Sequence, residues 1–139
     1  MSAKLVLYLT AAEHQLFRWS GAGLELQARF GVDEQGLEQF RALMKTRRGA
    51  IVYVLADLAG EDFHEDQIPY LRGADRQTVV ERRLAQRYRD TRLAAALSLG
   101  FTVGERRQER LLLASFTNTQ QFAEWLDALA ESGAKLSGV

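Results

Sequence analysis

Between Asp57 and Asp66 the chain gathers Asp57, Glu61, Asp62, Glu65 and Asp66 around His64. Oxygen-rich sets of this kind hold hard cations such as Mg²⁺ and Ca²⁺. The spacing lacks the Asp-x-Asp-x-Asp-Gly run and closing Glu of a calcium loop, so no metal site is nominated. The acids read instead as the first turn of a short helix, favoured there by the helix dipole and able to pair with the arginines that follow. Those arginines are the second feature. Residues 72 to 110 hold ten of them (72, 76, 82, 83, 87, 89, 92, 106, 107 and 110) against five acids, a local charge of +5 in a chain whose net charge is zero. Arginine presents a planar fork suited to carboxylate or phosphate. Since no aromatic is interleaved with these arginines as in RNA-binding segments, an acidic protein surface is a better match than nucleic acid. The partner-binding candidates are Arg82, Arg83 and Arg87 on a basic helix, with Arg106 and Arg107 on a hairpin.

Catalytic constellations are missing by residue type. There is no cysteine, and His14 and His64 are the only histidines. Gly-x-Ser-x-Gly, Gly-x-x-x-x-Gly-Lys-Ser/Thr and Gly-x-Gly-x-x-Gly are all absent. Gly21-Ala22-Gly23 lies between two strands, so it reads as a hairpin turn. We therefore expect no catalytic residue, no cofactor and no enzyme activity.

The elements that must position these residues follow from periodicity. Leu5 to Leu9 is continuously apolar, as in a strand buried on both faces. His14 to Trp19 follows a short connection, and Leu24, Leu26, Ala28 and Phe30 alternate with Glu25, Gln27 and Arg29 as a strand with one wet face. The connections are too short for a crossover, so these three strands form an antiparallel meander. Asp33 caps a helix whose stripe is Leu37, Phe40, Leu43 and Met44, ended by Gly49. Ile51 to Ala56 is another apolar strand. The opening order is thus βββαβ over residues 1–57. Asp57 to Arg76 is the least regular stretch. Val80, Leu84 and Tyr88 mark a helix over 75–89. Two strands, Ala94 to Phe101 and Arg110 to Phe116, are joined by a polar hairpin. Asn118 to Gln121 has capping-box spacing before a helix with the stripe Phe122, Trp125, Leu126 and Leu129, which ends at Gly133. Leu136 to Val139 starts a further strand. We expect residues 1–57 and 58–139 to form one core or two small subdomains, the second an αββα unit.

The chain has 139 residues, 47% hydrophobic and 26% charged, the profile of a globular protein. Its apolar runs are too short to span a bilayer, and the amino terminus lacks the pattern of a signal peptide.

The βββαβ order opens the ribonuclease-H-like fold. Nucleases of that class carry a metal-binding carboxylate on the first strand, and Lys4 to Thr10 has none. Actin-like ATPases share the opening and hold phosphate with an Asp-x-Gly-Thr-type turn after strand one. Here that turn is Leu9-Thr10-Ala11-Ala12-Glu13-His14, with neither Asp nor Gly. The second half carries Asp57-Leu58, then 61–71 ending in Pro69-Tyr70-Leu71, a basic helix, a β-hairpin, and Trp125-Leu126-Asp127-Ala128-Leu129 before Gly133. In this it resembles the cytoplasmic actin-like domains of type II secretion protein L and type IV pilus assembly protein M, over about the N-terminal half of such a domain. The resemblance implies an α/β, actin-like fold and a non-catalytic scaffold or partner-binding module of a bacterial pilus or secretion assembly platform. It implies a cytoplasmic location, including the inner face of the membrane within a larger protein or complex, and protein partners. A second copy is one candidate partner, since exposed edge strands of a partial sheet could pair. Two other functions remain open at this stage: a nucleotide-binding actin-like ATPase with its remaining motifs beyond residue 139, and an arginine-mediated nucleic-acid binder.

Overall fold

The computed structural model describes residues 2–89, 93–116 and 120–139, and the chain divides into two compact units. Unit 1 comprises Met1–Ala59 with Gln120–Val139, and unit 2 comprises Gly60–Thr119.

Unit 1 is a five-stranded mixed sheet with two helices. Strands β1 (Lys4–Thr10), β2 (His14–Ser20) and β3 (Gly23–Phe30) form the expected meander, α1 (Glu34–Lys45) follows, and β4 (Ile51–Asp57) returns parallel to β1. Unit 2 is inserted after β4. Helix α3 (Gln120–Glu131) then leads to β8 (Lys135–Gly138), which pairs parallel with β4, giving the order β3-β2-β1-β4-β8. Leu5, Leu7, Leu9, Leu16 and Val52 are fully buried with Phe40 and Met44 of α1 and Phe122 of α3. Trp125, at 2% exposure, packs among Phe30, Phe40 and His14. The Asp33 cap accepts from the Gly36 N–H at 2.8 Å, and Gly133 ends α3 with φ 78°. The capping-box spacing at 118–121 falls largely outside the described residues.

The tightest fit in this unit is at the start of α1. A Cβ on Gly36 would lie 1.9 Å from the Gly31 carbonyl oxygen, a backbone atom that no side-chain rotation can move away. Gly36→Ala is expected to destabilise the protein by about 1–3 kcal/mol through overpacking, measured by urea denaturation. An unchanged midpoint would refute the close approach.

One sequence expectation fails at β3. Leu24, Leu26, Ala28 and Phe30 share a parity and should face the core together. The pairing with β2 instead shifts between Leu16↔Ala28 and Phe17↔Leu26, so β3 carries one extra residue there. A bulge of this kind transfers the rest of the strand to the opposite face. Phe30 is buried at 4% exposure, whereas Leu24 is 57% and Leu26 40% exposed.

Unit 2 is a three-stranded antiparallel sheet in the order β5-β7-β6, with one helix. Its elements are β5 (Glu61–Pro69), α2 (Gly73–Arg87), β6 (Ala94–Phe101) and β7 (Gln108–Phe116). Ile68, Leu111 and Leu113 of the sheet pack with Val80 and Tyr88 to make its core. The helix–strand–strand–helix order expected after residue 58 is present, with two differences. The acidic segment is a strand, not the first turn of a helix. Residues 120–139, including the last helix, cluster with unit 1 instead of closing the second part.

Candidate partner-binding surface and the turn after strand one

Strand alternation sorts the acids of β5 onto two faces. Asp62 and Asp66 share parity with Ile68, which faces the core, and both meet α2. Arg83 Nη1 lies 3.2 Å from Asp66 Oδ2, and Arg87 Nε donates to Asp62 Oδ2 at 3.2 Å. Tyr88 Oη donates to the same Asp62 oxygen at 2.8 Å, and this bond, reinforced by Arg87, holds the Asp62 carboxyl below its ordinary range. Burial, followed by the Asp62 carboxylate, pushes the Tyr88 phenol up. Glu65, of the opposite parity, is paired with Arg110 of β7. The pairing of this acidic segment with the downstream arginines is therefore as the sequence suggested. The carboxylates do not converge, and among the described residues no group of three or more His, Asp or Glu side chains is placed to hold a metal ion.

The most buried ion pair joins α2 to β7. Arg76 Nε and Nη2 each donate to one oxygen of Glu109 at 2.8 Å, a bidentate fork on a carboxylate that is 2% exposed. The Arg76 bonds, with a further one from Ser98, hold Glu109 below its ordinary range.

The five arginines nominated from sequence thus separate. Arg83 and Arg87 are engaged with β5. Arg82 on α2 and Arg106 on the β6–β7 hairpin are exposed and in no ion pair among the described residues. Arg107 is also exposed, and its guanidinium lies 4.6 Å from the ring centres of both Tyr70 and Phe101. Sequence reading missed these two aromatics because they lie far apart in the chain. The long-range link is the β5–β7 pairing, extended past Pro69 by the Tyr70 N–H donating to the Arg107 carbonyl at 3.1 Å.

In unit 1 the turn after β1 is closed on itself. Thr10 N–H donates to the Glu13 carbonyl at 3.2 Å, Thr10 Oγ1 donates to that oxygen at 2.6 Å, and the Glu13 N–H donates back to Thr10 Oγ1 at 3.1 Å. Thr10, Ala11, His14, Val32 and Leu58 line a small hollow of about 170 Å³ beside it. His14 is 2% exposed, its Nδ1 has no hydrogen-bond partner, and burial lowers its pKa to about 4. At neutral pH it is an uncharged ring packed edge-on to Trp125.

No family model matches the chain, and a search of curated proteins finds no relative. Solved structures do match. The chain is similar over 96% of its length to 46% of a chain in the PilM–PilN type IV pilus biogenesis complex, with a TM-score of 0.63 and 18% identity. It also matches 56% of the cytoplasmic domain of EpsL, an inner-membrane component of the type II secretion system of Vibrio cholerae, over 98% of its own length (TM-score 0.49, 17% identity). A Bacteroides thetaiotaomicron protein with an actin-like ATPase fold and unknown function matches over 99% of this chain and 52% of that one (TM-score 0.44, 9% identity). The chain therefore spans about half the length of these structures. Its fold is the mixed α/β, actin-like and ribonuclease-H-like class, as the βββαβ opening implied. The resemblance to a pilus component is present in the fold, at low sequence identity. Among the described residues no helix is long and apolar enough to cross a membrane.

Proposed function

We propose that this chain is a partner-binding module of a bacterial pilus or secretion assembly platform, working at the cytoplasmic side of the membrane without catalysis. The observation that carries the non-catalytic part is the turn after β1. The turn has neither the Asp nor the Gly of the phosphate-holding turn described above, and the N–H groups of Thr10 and Glu13 bond within it. The fold likeness to a chain of the PilM–PilN complex supports the assembly role. Partner contact is assigned to the arginine-rich side of unit 2, through Arg82, Arg106 and Arg107, with Arg83 and Arg87 as ion-paired neighbours that order α2 against β5.

The test is thermal unfolding with and without Mg-ATP. A ligand at a hundred times its dissociation constant stabilises a fold by about 2.7 kcal/mol. The expected result is no shift in midpoint and no heat in calorimetric titration. A clear shift, lost in a Thr10 or Glu13 variant, would overturn the non-catalytic reading in favour of a nucleotide-binding protein.

A further inference from the structure

The charge of unit 2 is not evenly satisfied. Arg76, Arg83, Arg87 and Arg110 are each matched by a carboxylate within the unit. Arg72, Arg106 and Arg107 have no such match among the described residues, and the first and last of these meet at one end of the sheet. The Arg107 guanidinium lies 4.6 Å from the centres of Tyr70 and Phe101, whose rings meet edge to face at 5.5 Å. Arg72 Nε donates to Tyr70 Oη at 2.7 Å, and its guanidinium lies 5.5 Å from the same ring. The hairpin beneath is pinned by Thr102, whose N–H donates to the Gln108 carbonyl at 2.8 Å and whose Oγ1 accepts from the Gln108 N–H at 3.2 Å. Cation–π contact holds a guanidinium at the ring faces while its N–H groups remain able to grip a carboxylate. Phe101 is 47% exposed, which leaves an apolar step beside Arg107, and Val103, two residues further along the hairpin, is fully exposed.

We propose that this end of unit 2 docks an acidic segment of a partner protein. Its carboxylates engage Arg72 and Arg107, and an apolar side chain rests on Phe101 and Val103. The proposal rests on the partner-binding reading above and gives that partner a chemistry. Charge complementarity argues for a carboxylate-bearing chain. Nucleic acid fits less well, because the Arg107 guanidinium already lies over both rings that a base would use.

The probe is a fluorescein-labelled peptide alternating glutamate and leucine, titrated with the full chain at low salt and followed by anisotropy. A glutamine-for-glutamate peptide and an oligo-dT strand serve as comparisons. Arg72→Ala and Arg107→Ala should each weaken the glutamate peptide by about tenfold, the loss of one charge-assisted contact. Arg48→Ala, which removes an exposed charge from unit 1, should leave affinity unchanged. Circular dichroism checks that each variant is folded. Absence of binding by the wild-type chain, equal affinity for the glutamine peptide, or tighter binding of oligo-dT would each overturn the proposal. Loss of affinity in Arg48→Ala but not in Arg72→Ala or Arg107→Ala would overturn this location and leave the partner-binding role standing. That role's non-catalytic half fails separately, on a Mg-ATP shift.

Discussion

Arg76→Ala is expected to destabilise the protein by about 3–5 kcal/mol at neutral pH, the usual cost of stranding one member of a buried ion pair. The asymmetry of the pair sets this size. Glu109 is 2% exposed, and Arg76 satisfies both of its oxygens, so removing the arginine leaves a buried carboxylate with Ser98 as its remaining side-chain donor. The Arg76 side chain is 33% exposed, so removing the carboxylate instead leaves a cation that can reach water. Glu109→Gln should therefore cost only about 1–2 kcal/mol, the scale of a weakened hydrogen bond. For a domain of this size the Arg76→Ala midpoint should fall by at least about 10 °C. The pH dependence adds a check of sign. With its folded pKa below the unfolded 4.5, Glu109 contributes stability that is present above pH 4.5 and lost as pH falls through the folded value. The gap between wild type and Arg76→Ala should accordingly narrow in acid, where the stranded carboxyl is protonated. Equal losses for Arg76→Ala and Glu109→Gln, or a gap that widens in acid, would show that the pair is not organised as described.

That ion pair shows why some of this molecule was legible in sequence and some was not. The apolar runs at Leu5–Leu9 and Ile51–Ala56, the Asp33 cap and the stripe of α1 are local signals, and each marks an element that forms where it was expected. Strand β5 was missed because its alternation is written in charge. Asp62 and Asp66 sit on the helix-facing side, positions normally taken by apolar residues, and they are tolerable there only because Arg87, Tyr88 and Arg83 arrive from α2. Read locally, the same acids suit a helix start. The bulge in β3 was hidden for a related reason. Parity predicts one face for the whole strand, and a single extra residue reverses it. The placement of α3 is a matter of long-range packing, since its stripe would fit either sheet. Trp125, on the apolar stripe of α3, is in the core. At the candidate surface, the basic charge was visible as composition. Which arginines are ion-paired depends on carboxylates brought from β5 and β7, and Tyr70 and Phe101 join Arg107 only when β5 and β6 pair on either side of β7. Charge counts therefore pick out a basic region, and ion-pair geometry separates its arginines that build the fold from those in no ion pair among the described residues.

His14 gives the second large effect, and its cause is equally local. The ring is buried against Trp125 at a centroid distance of 4.2 Å, with Nδ1 unpartnered and no carboxylate bonded to it. Burial alone therefore drives its pKa from 6.5 down to about 4. The unfolded chain takes up a proton as pH falls below 6.5, and the folded chain does not until about 4. Stability is thus full above pH 6.5 and is lost as pH falls towards the folded value. Between pH 6.5 and 4.5, above the range where Glu109 and Asp62 titrate, the loss should be about 2–3 kcal/mol. Urea denaturation at several pH values through this window measures it. His14→Leu keeps an apolar group against Trp125 and removes the titrating nitrogen, so its stability should be flat across the same window. A wild-type profile as flat as that of His14→Leu would mean that the imidazole reaches a proton acceptor or water in the folded protein. A variant that falls in parallel with wild type would assign the proton uptake to another group. If instead only the wild type loses stability, this part of the pH dependence of unit 1 is set by one uncharged ring beside the closed Thr10–Glu13 turn.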